Sequence, residues 1–568
     1  MSTASGNDQA GALLISELVT LGVPHFCIAP GSRSTPLAGA AIRHPGATVT
    51  VFTDERSASF FALGVGRATG RPAVVITTSG TAVANCHPAA TEAKAAGVPL
   101  LLLTADRPPE LTDTGANQTI DQVKFFGDSV LHFTGLPCPN EAMSNAALRT
   151  AIDTAYARAG EGPVHINCPF REPLGGTTPG RLAESSSPAR PQTRFVAAER
   201  CPAPDALKEL ADSLSAVRRG LLIIGGIDSR QEREAAEQLA TLLAWPVCAD
   251  ITSGLRLGGA LEHAVTPFDL MLRSPEFRDA AQPEAILHVG GSVVSKRLHE
   301  WLAATGATHI RVAPGPRRLD PRHSVTCRVD ANLVPLVREL TKRVEPRPDT
   351  AWRDRLVRAG AAARSAMVTS GEASVARLVS EEATGGVFVA ASMGIRNLDI
   401  FGTCSGPTRA VGSNRGASGI DGCVATAAGW SQGKPTTLLI GDQALLHDLS
   451  SLPVLREHPV TVVVVNNGGG AIFSFLPIAA ADDVFEKAFA GPPSNQLAAV
   501  ARALGIEAPP AVSVEEFADA YRRAQQSGAS CLIEVVTDRN TVVAEHEAMI
   551  APALAAAAAH LCGTEHSP

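Results

Sequence analysis

Thr436-Thr-Leu-Leu-Ile-Gly-Asp442, followed after a helix-length interval by Val460-Thr-Val-Val-Val-Val-Asn466-Asn467-Gly-Gly-Gly470, decides the fold. Each half is a short apolar, β-branched run that stops at glycine and a polar side chain, the pattern of a buried strand ending in a turn. The 25 positions from Asp442 to Asn467 are the span of one strand–helix–strand crossover. Both side-chain oxygens are therefore expected on one edge of one parallel sheet. A carboxylate and a carboxamide beside a glycine-rich turn form a hard oxygen site suited to Mg²⁺, which readily shares its octahedron with phosphate oxygens. Gly468, Gly469 and Gly470 admit close backbone approach, and Gly469 can offer its carbonyl.

The same alternation extends in both directions. Val49–Thr53, Ala73–Thr77, Pro99–Thr104 and Pro163–Pro169 read as strands, with helical periodicity over Ser57–Ala68 and Thr81–Ala96. The Gly-, Pro-, Ser- and Thr-rich stretch from Gly175 to Pro204 reads as a linker. A second unit carries strands at Gly220–Ile224, Ala285–Val289 and His309–Val312, up to a Pro/Arg-rich joint at Arg343–Asp349. The third opens with the helical Ala351–Glu382 and holds strands at Val387–Ala390, Thr436–Ile440, Val460–Val465 and Cys531–Val536. The expected class is α/β, with three doubly wound parallel-sheet domains over 1–180, 200–345 and 350–568. Polar groups should then gather past the carboxyl ends of the strands.

Composition sets the outer limits. A chain of 568 residues has material for several cores. The formal charge of -7, from 49 basic and 56 acidic side chains, excludes a protein that coats nucleic acid but leaves room for a small anionic ligand held by a few arginines. Eleven scattered cysteines without a C-x-x-C pair point to reduced core thiols. Met1-Ser-Thr-Ala-Ser-Gly has no secretory pattern, and the Ala-rich tail from Ile550 to Cys562 is too short to span a bilayer. A cytoplasmic protein without membrane insertion is expected. Gly429-Trp-Ser-Gln-Gly-Lys-Pro435 has the wrong spacing for a P-loop, and His87, His165 and His447 stand alone as structural histidines.

The Gly-Asp to Asn-Asn pairing resembles the diphosphate–metal motif of thiamine-diphosphate enzymes. Those enzymes use one glutamate from another domain against the cofactor's aminopyrimidine. Glu55, in Asp54-Glu55-Arg56 after the strand Val49–Thr53, matches that position. Further segments narrow the likeness: Gly31-Ser-Arg-Ser-Thr-Pro-Leu37, Thr78-Ser-Gly-Thr-Ala-Val-Ala-Asn85, Thr104-Ala-Asp-Arg-Pro-Pro-Glu110, Gly115-Ala-Asn-Gln118, Ser295-Lys-Arg297, Ser413-Asn-Arg-Gly-Ala-Ser-Gly-Ile-Asp-Gly422 and Gly470-Ala-Ile-Phe-Ser-Phe-Leu-Pro477. As a set they resemble the 2-succinyl-5-enolpyruvyl-6-hydroxy-3-cyclohexene-1-carboxylate synthases of menaquinone biosynthesis. The likeness is dense in the first and third units and thin in the second. Gly468 stands where relatives often carry a third Asn.

The resemblance implies a transferase with pyrimidine-binding, central and diphosphate-binding domains, using thiamine diphosphate and Mg²⁺, with Mn²⁺ as a substitute. It implies decarboxylation of 2-oxoglutarate and addition of the succinyl carbanion to isochorismate. Asp442, Asn467 and the Gly469 carbonyl would ligate the metal. Glu55, Ser392, Ile420, Gly441, Gly470, Ile472 and Phe473 would contact the cofactor, with Glu55 catalytic and Ile420 wedged between its rings. Both substrates are dicarboxylates and demand cationic anchors, for which arginine is suited wherever two parallel hydrogen bonds are wanted. The candidates are Arg33, Arg107, Lys296, Arg297, Arg396 and Arg415, with Ser32, Asn117 and Gln118 as neutral partners. Phe473 and Leu476 would complete an apolar wall against water. The family's active site forms between two chains, so a homodimer or homotetramer is implied. A pyruvate-using acetohydroxyacid-synthase-like enzyme or 2-oxoacid decarboxylase is the alternative of the same class. A non-catalytic thiamine-fold binding protein is the alternative of another.

Overall fold

The structure, a computed structural model, describes residues 3–140, 142–175, 189–259, 261–491 and 496–562. Most of the expected linker core, 176–188, lies outside these residues. Three sheets follow one another along the chain, and every strand pair within them is parallel. The first comprises β1 (His25–Ile28), β2 (Thr48–Val51), β3 (Ala73–Thr77), β4 (Leu100–Asp106), β5 (His132–Gly135) and β6 (Pro163–Pro169), in the order β2-β1-β3-β4-β6-β5. The second comprises β7 (Gly220–Ile224), β8 (Val247–Ala249), β9 (Ala285–Val289), β10 (Thr308–Val312) and β11 (Cys327–Val329), in the order β11-β10-β9-β7-β8. The third comprises β12 (Gly386–Val389), β13 (Val411–Gly412), β14 (Thr436–Gly441), β15 (Val460–Asn466) and β16 (Cys531–Val536), in the order β13-β12-β14-β15-β16. Reversal of strand order beside β1 and beside β12 makes the switch points where open α/β sheets place ligands.

The strands read from the sequence are all present, and β14 and β15 pair in register with Gly441 opposite Val465. The short strands β1, β5, β8, β11 and β13 were not among those expectations. Each has at most four residues, too few for a period of two to stand out from the flanking turns. Two helical expectations are corrected. Ala351–Glu382 is two helices, Thr350–Ala366 and Gly371–Glu382, because Ser370 is extended and Gly371 takes φ +50° at the join. The C-terminal helix runs over Val542–Cys562, longer than the Ala-rich tail alone, and by length and composition Val542–Leu561 could cross a membrane. Here Ile550, Ala553 and Ala557 instead enter a cluster with Trp352, Leu356, Leu221, Ile223 and Ile286 on the central sheet.

A helix crossing helps to join the first and third sheets. The helix Glu55–Thr69 starts at Asp54, whose side chain accepts the Arg56 amide at 2.8 Å, and stops at the left-handed Gly70. It is buried from Ser57 to Gly66 and packs against Cys423–Ser431 of the third unit. A Cβ at Gly64 would sit 2.2 Å from the Thr426 carbonyl oxygen, and one at Gly429 would sit 2.1 Å from that of Phe61, so only glycine permits this approach. Phe60, Phe61, Leu63 and Val65, each at most 4% exposed, gain roughly 1.5–3 kcal/mol apiece from burial in the shared core.

Candidate active site

Four strands of the third sheet deliver polar groups to one edge. Asp442 opens the helix after β14, and Asn467 follows β15 directly, as their spacing predicts. Asp442 is 3% exposed; its Oδ1 accepts the Gln443 amide at 2.8 Å, and its Oδ2 is buried without a hydrogen-bond partner. Burial raises this carboxyl above its ordinary value, with the amides of Gln443 and Gly469 opposing. Asn467 turns Oδ1 toward the Gly469 amide, 3.1 Å away, and donates Nδ2 to Glu372 at 2.7 Å. Gly468, Gly469 and Gly470 all lie at positive φ, and a Cβ on Gly470 would meet the Phe489 carbonyl oxygen at 2.3 Å. A Cβ on Gly441 would meet nothing within 4 Å, so the space beside this glycine is open.

This arrangement suits a divalent cation bridging to phosphate. Asp442 Oδ2 is an orphaned buried acceptor, costly unless a cation or donor meets it. The carbonyls of Gly468 and Gly469 already face a positive group, with Arg539 Nη1 at 3.2 and 3.5 Å. Among the described residues no group of three His, Cys, Asp or Glu side chains could hold a metal. A site here must therefore draw on one carboxylate, an amide oxygen, a backbone carbonyl and oxygens of the bound molecule.

At the end of β12, Ser392 holds φ +73°, a left-handed conformation uncommon outside glycine and concentrated at functional sites. Its carbonyl accepts Arg396 Nη1 at 2.6 Å. Burial first, and the Arg415 cation second, pull Arg396 below its ordinary value, with Asp269 opposing and Arg297 adding. Arg396, Arg415, Arg297 and Asp269 thus sense one another across the joint between the second and third units. Arg297 donates to Asp269 at 2.8 Å, and Ser295, the cap of the helix Lys296–Ala304, donates to the other oxygen of Asp269. Lys296 points to solvent, 82% exposed, with Glu300 at 3.6 Å. Among the described residues Arg415 has neither hydrogen bond nor ion pair, which leaves its guanidinium available to a ligand carboxylate. Ile420, at 39% exposed, is not core. Ile472 and Phe473 are half-buried, Leu476 is exposed, and Phe473 meets the Phe489 ring edge-on at 5.3 Å.

The first sheet contributes a second group. Glu55 begins its helix beyond β2 and accepts Asn85 Nδ2 at 3.2 Å. Arg33, after β1, is buried, donating to the Phe170 carbonyl and to Glu172 at 2.9 Å each. Arg107, after β4, donates to Ser79 Oγ at 2.5 Å and to the Asn117 carbonyl at 2.9 Å. Gln118 closes the ring, its Nε2 bonding the Ser79 carbonyl at 3.1 Å. Burial, then the neighbouring Arg33 cation, lowers Arg107, so two positive charges share this corner. Ser32, Asn117 and Gln118 are exposed there.

The predicted residues therefore collect at two sheet edges, the first and the third, with Lys296 and Arg297 of the second unit beside the third-sheet group. None of them lines the cleft of about 350 Å³ between the first and third units, which is walled by Phe60, His87, Glu92, Asn414 and Asp421. Several supporting residues escape sequence reasoning. Ser79 lies in Thr78-Ser-Gly-Thr81, but its bond to Arg107 does not follow from spacing. Glu92, 2% exposed, accepts the amides of Gly416, Ala417 and Ser418 at 2.7, 2.6 and 3.3 Å and so anchors the loop that carries Arg415 and Ile420. Glu372 is buried, raised by desolvation and held down by Asn467 and Asn397. The isolated histidines are structural: His165 bonds Thr104 at 2.7 Å and burial drives it down to about 3, while His87 bonds Ser129 and His447 bonds Arg56. The ten cysteines described are free thiols.

Three family models match the chain. "Thiamine pyrophosphate enzyme, N-terminal TPP binding domain" covers residues 8–125, "Middle domain of thiamine pyrophosphate" covers 196–388, and "Thiamine pyrophosphate enzyme, C-terminal TPP binding domain" covers 401–535. Relatives named 2-succinyl-5-enolpyruvyl-6-hydroxy-3-cyclohexene-1-carboxylate synthase include one from Rubrobacter xylanophilus, 43% identical over 96% of this chain and 98% of its own. Others come from Salinibacter ruber, 43% identical over 93% of each chain, and Chlorobium limicola, 38% identical over 97% and 98%. Among solved structures, a benzoylformate decarboxylase from Polynucleobacter necessarius superposes with a TM-score of 0.71 over 93% of this chain and 98% of its own. At 17% identity that likeness concerns the fold alone.

Proposed function

Since the chain belongs to the thiamine pyrophosphate (thiamine diphosphate) enzymes, and within them to the 2-succinyl-5-enolpyruvyl-6-hydroxy-3-cyclohexene-1-carboxylate synthases, we propose that it decarboxylates 2-oxoglutarate and joins the remaining four-carbon unit to isochorismate. The products are 2-succinyl-5-enolpyruvyl-6-hydroxy-3-cyclohexene-1-carboxylate and CO2, in menaquinone biosynthesis. The observation that carries this reading is the buried, unpartnered Oδ2 of Asp442 beside Asn467 and the glycine turn. We take the domains as 1–180, 200–345 and 350–568, binding the pyrimidine, bridging, and binding the diphosphate.

Asp442, Asn467 and the Gly469 carbonyl hold Mg²⁺, with Mn²⁺ accepted by the same oxygen ligands. Gly441 and Gly470 give the diphosphate close backbone approach, and Ser392, Ile420, Ile472 and Phe473 pack the rest of the cofactor. Thiamine diphosphate, when bound, supplies the carbon nucleophile and the electron sink that decarboxylation needs. Glu55 would hydrogen-bond the cofactor's aminopyrimidine through its carboxyl. Arg396 and Arg415 grip one dicarboxylate; Arg33 and Arg107, with Ser32, Asn117 and Gln118, grip the other. Lys296 and Arg297 extend the positive field from the central domain. Phe473 and Leu476 exclude water from the reacting carbon. The split of these residues into two groups supports an active site assembled from two chains, as a homodimer or a dimer of dimers. Two substrates with two carboxylates each need this many cations, and their concentration on sheet edges supports that assignment over a pyruvate-using synthase or decarboxylase. A cytoplasmic location fits the same reading.

The test is direct. Purified protein with thiamine diphosphate, Mg²⁺ and 2-oxoglutarate is expected to consume isochorismate, followed by its absorbance, and to release CO2 in equal amount. Turnover of pyruvate with no loss of isochorismate would replace this reading with the acetohydroxyacid-synthase-like one. Binding of thiamine diphosphate with neither activity would favour a non-catalytic binding protein.

A further inference from the structure

We propose that Glu372 is a positioning residue that decides which end of the Asn467 carboxamide faces the metal. The proposal rests on the reading of Asn467 as a metal ligand. Glu372 lies in the first turn of Gly371–Glu382, 4% exposed, far from Asn467 in sequence. Its Oε1 accepts Asn467 Nδ2 at 2.7 Å, with Thr537 Oγ1 at 3.5 Å, and its Oε2 accepts Asn397 Nδ2 at 3.3 Å. Four elements therefore converge on one buried carboxylate: its own helix, the helix Met393–Phe401, and the ends of β15 and β16.

A carboxamide has two ends of nearly equal shape and opposite chemistry. Only the oxygen end can ligate Mg²⁺. Both oxygens of Glu372 meet amide nitrogens, Nδ2 of Asn467 and Nδ2 of Asn397, so the carboxylate serves here as an acceptor and its neighbour presents N–H. Turning the Asn467 amide over would bring two acceptors face to face in a dry site and strand the amino end against the metal position. Glu372 thus fixes Nδ2 on itself and leaves Oδ1 directed to the Gly469 side, where it stands 3.1 Å from that amide. Groups that orient metal ligands in this way typically change metal affinity by 10–100-fold when removed.

The test is a double-mutant cycle read as Mn²⁺ affinity, from the electron paramagnetic resonance signal of free Mn²⁺ at saturating thiamine diphosphate. Asn467→Ala, Glu372→Ala, the double variant and Glu372→Gln are compared, with apo-protein melting as the folding control. Glu372→Ala is expected to weaken Mn²⁺ binding by about 10-fold or more. In the Asn467→Ala background the same change is expected to have no further effect, because the residue it orients is gone. Glu372→Gln keeps one oxygen for Asn467 and can donate to Asn397 Oδ1, which is buried without a partner. It should retain affinity within about threefold. Equal, additive losses in both backgrounds would overturn the positioning role. Normal affinity in Glu372→Ala with weakened affinity in Asn467→Ala would overturn it while leaving the metal reading intact, whereas normal affinity in Asn467→Ala would remove the metal reading itself. If Glu372→Ala does not fold, Glu372→Asp, which withdraws the carboxylate by one methylene, enters the same cycle.

Discussion

Glu55 is an acid at the start of a helix, where any carboxylate complements the macrodipole, and its local surroundings give little sign of another role. What distinguishes it is its place beyond the edge strand β2, beside Asn85, on the same sheet edge as Arg33 and Arg107. Replacing it by Gln removes the proton but keeps size and most hydrogen bonding. Turnover of 2-oxoglutarate by Glu55→Gln is expected to fall at least about 10²-fold with thiamine diphosphate still bound, measured by CO2 release and by calorimetry. Undiminished turnover would remove Glu55 from the catalytic role. Gly468 can be weighed at the same scale. Its φ of +77° is open to Asn at modest cost, and a Cβ there would meet nothing within 4 Å, so the missing side chain leaves the turn's backbone path unchanged. The residue types at Asp442 and Asn467 could be read from spacing, but the orientation of their oxygens could not. That depends on Gln443, Gly469 and Glu372.

Among the elements, the loop from Ser413 to Gly422 shows most clearly how a site is built from distant parts of the chain. It carries Arg415 and Ile420, has Ser418 at φ +62°, and presents three successive amides that no strand or helix satisfies. Glu92, on a helix of the first unit, satisfies all three, with Arg67 at 3.7 Å balancing its charge. Burying this carboxylate is tolerable only because of those bonds. In Glu92→Ala the amides of Gly416, Ala417 and Ser418 should exchange with deuterium faster than in the parent, read by mass spectrometry. The KM for 2-oxoglutarate should rise by about tenfold as Arg415 loses its fixed position, a cost of about 1.4 kcal/mol. An unchanged exchange pattern would show that the loop is held by something else. The helix Glu55–Thr69 was legible from its periodicity over Ser57–Ala68, which says nothing about Gly64. The reason for Gly64, close approach to the Thr426 carbonyl of the third unit, exists only after folding.

For the whole molecule, the division of site residues between two sheet edges leads to a complementation test. If Glu55 of one chain serves Asp442 of another, a mixed dimer of Glu55→Gln and Asp442→Ala chains has one doubly damaged site and one intact site. Dissociated, mixed and reassociated in equal amounts, the two inactive variants should recover about a quarter of the parent activity. No recovery, with mixed dimers demonstrated by native mass spectrometry, would place the whole site within one chain. The sequence by itself determined the three parallel-sheet units and the residues at their carboxyl edges, because strand–helix alternation and strand-end punctuation are local patterns of side-chain chemistry. It also determined the family, through motifs such as Ser413–Gly422 that are dense in chemistry over few positions. Only the tertiary structure decided which groups touch: Ser79 with Arg107, Glu92 with the Arg415 loop, Glu372 with Asn467. It also placed the C-terminal helix, whose length and composition alone would allow a membrane span, against the central sheet. The physical reason is common to all of these. A buried carboxylate or apolar face is stabilised by whatever the fold brings within hydrogen-bond or van der Waals range, and that partner has no fixed distance along the chain.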